Sequence, residues 1–242
     1  MITVVIPIWN RASLVGPAVA SVLGQTHKDL ELIVVDDGST DGSLEAARAA
    51  AGADSRVTFL SRDHSGRPGV VKHSGIEAGT GEWVAVVDSD DEILPTALEE
   101  VLGAAALNPG CGVLFTNRLL ITPKGEVAPP SLPFYSKNGM LAENLIRHLV
   151  VFRRDLYEKA GGFDPSFTYA SNYDLALKLS EITEVHHLPR ALYRYRVGWA
   201  DSITVQFRKA QVAFANLARH NAYLRRDLPV PAFLSAALKE AA

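Results

Sequence analysis

Short apolar runs alternate with amphipathic stretches through the first half of the chain. The first run, ITVVIPI at 2–8, is rich in β-branched residues and has no polar face, which predicts a strand buried on both sides. Ser13, and either Thr40 or Asp41, are candidate N-caps of the helices that follow, and Gly52 is a candidate helix end. We expect strands at 30–39, 56–62 and 82–91, and helices at 13–25, 40–52, 66–81 and 94–108. This alternation predicts a mostly parallel α/β sheet.

The second half has a mixed pattern. Residues 112–122 and 184–198 resemble strands, and 140–162 has both helix and strand character. Residues 203–226 have the spacing of one amphipathic helix. The Pro-rich stretch at 123–139 is long enough for a functional loop. We therefore expect a three-layer α/β/α, Rossmann-like domain with a smaller mixed region and a C-terminal helix.

Composition and charge narrow the class of protein. The 242 residues are 48% hydrophobic, which is enough for a sizeable core. The net charge of −3 does not indicate the basic surface that binds nucleic acid, so nucleic acid is not an expected partner. A single cysteine, Cys111, excludes an intramolecular disulfide and fits a reducing compartment, so we expect a cytoplasmic protein. The start MITVVIPIW has no basic leader, and no apolar run approaches the roughly 20 residues of a membrane span. We expect neither a signal peptide nor a transmembrane helix.

Two of the predicted strands end in acidic residues. Asp36 and Asp37 follow one, and Asp88, Asp90 and Asp91 follow another. A strand-end acid is often a cap or turn residue, but ligands of open α/β sheets also bind at this edge. Three carboxylates within four residues repel one another unless a cation offsets them, and an Asp-x-Asp turn can aim two of them at Mg²⁺ or Mn²⁺. The pattern favours a site for a metal and a diphosphate.

The first strand continues into PIWNRAS, where Trp9 is either a core residue or a wall for a nucleobase. No G-x-x-x-x-G-K-[ST] loop is present, and no G-x-G-x-x-G follows the first strand. A dinucleotide-binding interpretation therefore loses its usual support. A nucleotidyltransferase on a similar sheet is also disfavoured, because IPIWNRASLVGP lacks a Gly-rich basic loop.

Three sequence segments with recognisable motifs follow one another over about residues 2–197. They are VVIPIWNRAS…VVDDGSTDGS, then GVVKHSG…VVDSDDEILP, then AGGFDPSF…NYDLALKLS…LYRYR. Together they resemble family 2 glycosyltransferases with the A-type nucleotide-diphospho-sugar fold, in particular those that build bacterial polysaccharide and O-antigen. The resemblance implies an inverting enzyme that transfers a sugar, with Mn²⁺ or Mg²⁺, from a nucleotide-diphospho-sugar to a glycan or glycolipid hydroxyl. A UDP- or dTDP-sugar is the favoured donor.

The resemblance also implies residue roles. Asp90 and Asp88 would be metal ligands, and Asp91 would meet the donor sugar or support the metal indirectly. Lys72 stands where the family has Arg, and His73 where it has Asn. The implied nucleotide contacts are Pro7, Trp9, Asn10, Asp36, Asp37, Lys72, Asp88 and Ser89. The implied division is a nucleotide-sugar half at 1–110, an acceptor and catalytic half at 111–204, and a helical extension at 205–242, all within one domain.

One position departs from the family. The general base is expected just upstream of Asp-Leu, and Asn172 occupies that place. A carboxamide does not accept a proton at neutral pH. Either the residue is an inactivating Asp-to-Asn change made to trap a complex, or Asp174 or Asp164 is the base, or the protein binds nucleotide sugar with impaired or lost turnover. Ser171-x-x-Asp174 is also a capping-box pattern, which predicts a helix start.

A second departure lies after LYRYR, where family members often carry a histidine near the diphosphate. Gly198 and Trp199 stand there, so metal ligation would rest on aspartates, phosphates and water. Acceptor recognition is expected from 123–139 and 162–172. The apolar face of the C-terminal helix fits packing on the core, pairing with a second copy, or peripheral contact with the inner face of a membrane.

Overall fold

The computed structural model describes residues 1–127, 135–200 and 202–241. The strands are β1 (Ile2–Ile8), β2 (Leu30–Asp36), β3 (Val57–Ser61), β4 (Trp83–Val86), β5 (Glu92–Ile93), β6 (Cys111–Thr122), β7 (Gly125–Val127), β8 (Val150–Arg153) and β9 (Glu184–Arg196). The α-helices are α1 (Val15–Leu23), α2 (Ser43–Ala51), α3 (Pro68–Ala78), α4 (Ala97–Leu107), α5 (Arg154–Lys159), α6 (Ser171–Ile182), α7 (Ile203–Gln206), α8 (Arg208–Arg225) and α9 (Ala232–Ala241).

One sheet runs through both halves of the chain, in the order β3-β2-β1-β4-β8-β6-β9-β5, with β7 paired to β6. Strands β1 to β4 are mutually parallel where they pair. Antiparallel β8 joins them to β6, and β9 runs parallel to β6. The expected α/β class, with a parallel first half and a mixed second half, is confirmed. Because the sheet crosses the boundary at residue 110, that boundary does not separate two sheets, and the division proposed there stays a prediction.

Two apolar cores lie on opposite faces of the sheet. Along β1, Val4 and Ile6 enter the core covered by α1, α2 and α4, while Val5 enters the core covered by α3, α5, α6 and α8. All three side chains are fully buried. This burial on both faces explains why the strand sequence has no polar alternation.

Helix starts differ from the sequence prediction. Helix α1 begins without a side-chain cap, so Ser13 is not its N-cap. Neither Thr40 nor Asp41 caps α2, because Gly42 takes that place with a left-handed φ of 87°. Asp41 instead accepts a hydrogen bond of 3.0 Å from the first backbone N–H of the helix. Gly52 ends the helix as predicted.

The predicted capping box at the start of α6 is wrong. Ala170 occupies the cap position with φ of 54°, Ser171 is the first helical residue, and no side chain caps the helix. Asp174 forms ion pairs instead, with Lys178 at 3.1 Å and Arg225 at 3.9 Å. The helix start therefore depends on a backbone turn and on packing.

The C-terminal region is not one helix. Phe207, with φ of −117° and ψ of 33°, separates α7 from α8, and α9 follows after a turn. Helix α8 buries Ala218 and Ala222 in the core beside α6. In the described ranges no helix is both long and apolar enough to cross a membrane. Within the predicted loop at 123–139, β7 forms a short edge strand, and residues 128–134 lie outside the described residues.

Two helical glycines give a test of the packing. A Cβ on Gly75 in α3 would lie 2.5 Å from Val5 Cγ1 and 2.9 Å from Val35 Cγ2, whereas one on Gly103 in α4 would meet nothing within 4 Å. We expect Gly75→Ala to lower the free energy of unfolding by about 1–3 kcal/mol through overpacking. Gly103→Ala should raise it by about 0.5–1 kcal/mol, because alanine favours the helix. Urea unfolding measures both changes in free energy. Equal changes would contradict the close contact of Gly75 with Val5 and Val35.

Candidate active site

A cleft of about 920 Å³ lies at the ends of β1 and β4 and is closed by the starts of α3 and α6. The segments before β8 and after β9 complete its walls. Eight predicted site residues line it: Pro7, Trp9, Asp37, Lys72, Asp88, Ser89, Asp90 and Asn172. Four do not: Asn10, Asp36, Asp91 and Asp174.

Trp9 and His64 form a stacked aromatic pair in the wall of the cleft. Their rings are stacked with centroids 4.4 Å apart at 16°, and Trp9 is 45% exposed. Asp37 fixes the loop at 64–66. Its carboxylate accepts hydrogen bonds from the backbone N–H groups of Ser65 and Gly66 and lies 3.0 Å from His64 Nδ1. An aromatic surface of this kind can stack on a planar ring. His64 was not predicted from the sequence, although it follows β3 at the same sheet edge as Asp37.

Beside this wall, Asn10 connects the loop after β1 to the turn after β2, and Asp36 makes a contact within that turn. Asn10 Oδ1 accepts a hydrogen bond from Thr40 N at 2.9 Å, and Asp36 Oδ1 accepts one from Ser39 N at 3.2 Å. Asn10 also has a left-handed φ of 50°. These contacts shape the turn after β2. The nucleotide contacts predicted for the two residues stay predictions.

Lys72 joins the aspartate motif to the expected base position. This buried lysine, 4% exposed, places Nζ 3.0 Å from Asp88 Oδ1 and 3.1 Å from Asn172 Oδ1. Burial raises the pKa of Asp88, but the charge of Lys72 lowers it, and the net result lies below the ordinary value. Asn172 uses its carbonyl oxygen on Lys72, which leaves its amide nitrogen for another acceptor.

His148 is a second site residue that was not predicted from the sequence. Its Nε2 lies 3.7 Å from Asp88 Oδ2, and its ring stacks on Tyr193 and Tyr195 with centroids 5.1 and 5.9 Å away. Burial lowers the pKa of His148 to about 4, so the imidazole is neutral at pH 7. No spacing in the sequence points to this histidine, because it reaches the site only through the pairing of β8 with β4.

The other two aspartates of the motif have different surroundings. Asp90 faces the cleft with Oδ2 3.8 Å from Arg196 Nη1, and burial followed by the Asp88 charge raises the pKa of Asp90. Asp91 is 2% exposed and accepts hydrogen bonds of 2.7 Å from Tyr193 Oη and from Arg196 N. Burial, then the charges of Asp88 and Asp90, raises the pKa of Asp91 well above its usual range. This placement favours a structural role for Asp91 in holding β9.

The donor set suits a metal shared with a ligand. Among the residues that the structure describes, no three His, Cys, Asp or Glu side chains form a group that could hold a metal ion. Asp88 and Asp90 nevertheless supply carboxylates from one turn of the cleft wall. Mg²⁺ and Mn²⁺ commonly take a few carboxylates and complete their shell with phosphate oxygens and water. The residues fit that arrangement and do not form an all-protein cage.

Two arginines add positive charge near this turn. The Arg118 guanidinium lies over the Tyr195 ring at 4.2 Å, and Arg196 lies over Trp199 at 4.4 Å. Both arginines line the cleft. Arg196 also pairs with Asp90, and the positive charge of the two guanidinium groups suits this wall to a diphosphate.

The acids considered as substitutes for a base lie away from the cleft. Asp174 is 2% exposed and ion-paired, and burial raises its pKa despite Lys178 and Arg225. Asp164 accepts a 2.8 Å hydrogen bond from Ser166 N and does not line the cleft. Among the residues that the structure describes, the carboxylates that line it are those of Asp37, Asp88, Asp90 and Glu143. Glu143 is the most open of these, with a 55% exposed side chain.

Comparison with known proteins gives consistent matches. The family model described as glycosyl transferase family 2 matches residues 3–161. The O-antigen biosynthesis protein RfbC of Myxococcus xanthus is 31% identical over 206 residues, which cover 84% of this chain and 16% of that protein. The structure of S. aureus TarS 1–349 in complex with UDP has a TM-score of 0.73 at 19% identity, covering 99% of this chain and 70% of that one.

The mannosyltransferase PcManGT from Pyrobaculum calidifontis, in complex with GDP-Man and Mn²⁺, has a TM-score of 0.71 at 19% identity over 98% of this chain and 68% of that one. At this identity the two structures show a shared fold, and they confirm the expected A-type architecture. The chain spans about a fifth of the length of the first curated relatives, between 16% and 22%.

The Lys72–Asp88 pair can be tested by a double-mutant cycle. Lys72→Met leaves a partly buried carboxylate without its cation, and Asp88→Asn leaves the buried cation without its carboxylate. We expect each to lower the free energy of unfolding by about 2–3 kcal/mol, less than a fully buried pair would lose, because the Asp88 side chain is 29% exposed. The double variant should lose less than the sum, since neither charge remains. Strictly additive losses in urea unfolding would contradict the coupling.

Proposed function

Because the chain belongs to glycosyl transferase family 2, we propose that it transfers a sugar, with inversion, from a nucleotide-diphospho-sugar to an acceptor hydroxyl in polysaccharide or glycoconjugate synthesis. One observation carries the proposal: the aromatic wall at Trp9, the Lys72–Asp88 pair and Asp90 all line the same cleft. The relative named for O-antigen biosynthesis supports the polysaccharide part.

The donor would lie along the sheet edge from Trp9 to Asp90. Its base would stack on the wall of Trp9 and His64, and Lys72 would lie near the diphosphate. Asp90, with Asp88, would hold the divalent metal. A bound Mn²⁺ or Mg²⁺ supplies positive charge to the diphosphate leaving group. The structural neighbours are complexes with UDP and with GDP-Man and Mn²⁺, so a nucleotide diphosphate is the shared chemistry, and we propose a UDP-sugar first.

The acceptor hydroxyl must lose a proton when it attacks the anomeric carbon. Asn172 occupies the position expected for the general base. Its carboxamide oxygen accepts a hydrogen bond from Lys72 and does not take up a proton. A second function follows from this one observation: a nucleotide-sugar-binding protein whose transfer is impaired. Glu143 is the open carboxylate that could take the proton instead, because its side chain is exposed on the cleft.

Metal-dependent nucleotide binding tests the donor site. We expect Asp90→Asn to remove the gain in UDP affinity that Mn²⁺ gives, a loss of about 100-fold or roughly 2.7 kcal/mol, in titration calorimetry. Glu92→Gln is the matched control, since it removes a charge two residues away that pairs with Arg194 outside the cleft. Wild-type protein that binds no nucleotide diphosphate, with or without metal, would overturn the proposal.

The base position gives a separate test. Asn172→Asp places a carboxylate next to Lys72, which would keep it ionised, and we expect the rate of donor hydrolysis or transfer to rise by about 100-fold or more. Asn144→Asp adds the same charge elsewhere on the cleft and should give no comparable gain. An already efficient wild-type enzyme, slowed by Glu143→Gln and not improved by Asn172→Asp, would instead identify Glu143 as the base.

A further inference from the structure

Arg118 is a half-buried cation of the cleft without a matching carboxylate. Other charges of the lining form close pairs: Asp88 with Lys72 at 3.0 Å, Glu143 with Arg147 at 3.3 Å and Asp90 with Arg196 at 3.8 Å. Arg118 also lines the cleft, yet it forms no hydrogen bond or ion pair with another residue that the structure describes. Its guanidinium carbon lies 4.2 Å from the centre of the Tyr195 ring. The positive charge therefore rests on an aromatic face and has no counter-ion.

The surroundings of Arg118 make this unmatched charge costly. Burial lowers the pKa of Arg118, and so does the nearby positive charge of Arg147. The two arginines are neighbours because β6 runs beside the segment that precedes β8: Thr116 N donates a hydrogen bond of 3.0 Å to Leu149 O. A cation that is partly withdrawn from water and placed beside a like charge is stabilised by any anion that reaches it.

The order of the strands indicates which part of a substrate lies near Arg118. Trp9 follows β1, Asp90 follows the neighbouring β4, and Arg118 belongs to β6, two strands beyond β4 in the sheet. Two strand spacings are about 10 Å. A donor with its base at Trp9 and its diphosphate at Asp90 would extend its sugar in this direction, and the acceptor would meet that sugar there. This step rests on the proposed glycosyl transfer.

We propose that Arg118 is a specificity-determining residue that binds the carboxylate of an acidic sugar, the chemical class of the uronic acids. One positive charge is unmatched, because Arg147 already pairs with Glu143, and a carboxylate carries one negative charge. A planar guanidinium donates two parallel hydrogen bonds to a carboxylate from its edge, while its face stays on Tyr195. A phosphate monoester, with nearly two negative charges at pH 7, fits this place less well. The carboxylate belongs to either the donor sugar or the acceptor sugar.

The donor is tested by titration calorimetry of the full chain with Mn²⁺, comparing UDP-glucuronic acid with UDP-glucose. If the donor carries the carboxylate, wild type should bind UDP-glucuronic acid about 10-fold more tightly, and Arg118→Gln should bind the two equally. Both ligands have the same diphosphate, so the ratio of their affinities cancels any contact of Arg118 with that group. Arg118→Lys keeps the charge without the planar fork and should give an intermediate ratio.

The acceptor is tested by saturation-transfer NMR without nucleotide, comparing methyl glucuronide with methyl glucoside. If the acceptor carries the carboxylate, wild type should bind the glucuronide about 10-fold more tightly, and Arg118→Gln should remove that preference. Arg190→Gln is the matched control for both comparisons. It removes an arginine of β9 that pairs with Glu100 outside the cleft, so both ratios should stay at their wild-type values.

The absence of a preference for the carboxylate in both comparisons would overturn the proposal, and so would a preference that Arg118→Gln leaves intact. Tighter binding of glucose 6-phosphate than of glucuronate would also overturn it, because the site would then take a phosphate. UDP alone with Mn²⁺ is a separate readout. If UDP does not bind, glycosyl transfer fails and the NMR comparison still stands. If UDP binds and no carboxylate is preferred, only the role of Arg118 fails.

Discussion

The ion pair between Lys72 and Asp88 is the contact around which the cleft is arranged. A buried lysine is costly unless its charge is matched, and here one ammonium group meets a carboxylate after β4 and an amide at the start of α6. Three elements distant in sequence thus converge on a single cation. The charge of Asp88 depends on it in turn, because burial alone would favour the neutral acid.

The acidic turn after β4 is stable because its three carboxylates have different partners. Asp88 faces Lys72, Asp90 faces Arg196, and Asp91 turns inward to the hydroxyl of Tyr193. Asp91 thereby links the turn to β9 while the other two remain at the cleft. One acid anchors the turn, and two are left to meet a ligand.

The sequence predicted the parts of the fold that depend on repeated local signals. The strands of the first half were recognisable because β1 and its neighbours are buried on both faces, and the Asp motif and position 172 followed from family resemblance. The N-cap positions of α2 and α6 were not predictable, because Gly42 and Ala170 occupy them with left-handed backbone turns. His148 reaches Asp88 only through strand pairing, and Lys72 and Asn172 are 100 residues apart, so neither contact has a local signal.

Gly75 has a consequence for the site that lies one turn away from it. It follows Lys72 by three residues on α3, so both face the same side of the helix. The helix backbone rests directly on Val5 and Val35 because no Cβ intervenes. The closeness of that contact sets the position of Lys72 relative to the sheet. Because Lys72 Nζ lies 3.0 Å from Asp88 Oδ1, a small displacement of α3 would change their ion pair. The distance between Lys72 and Asp88 therefore depends on Gly75, a residue that has no side chain.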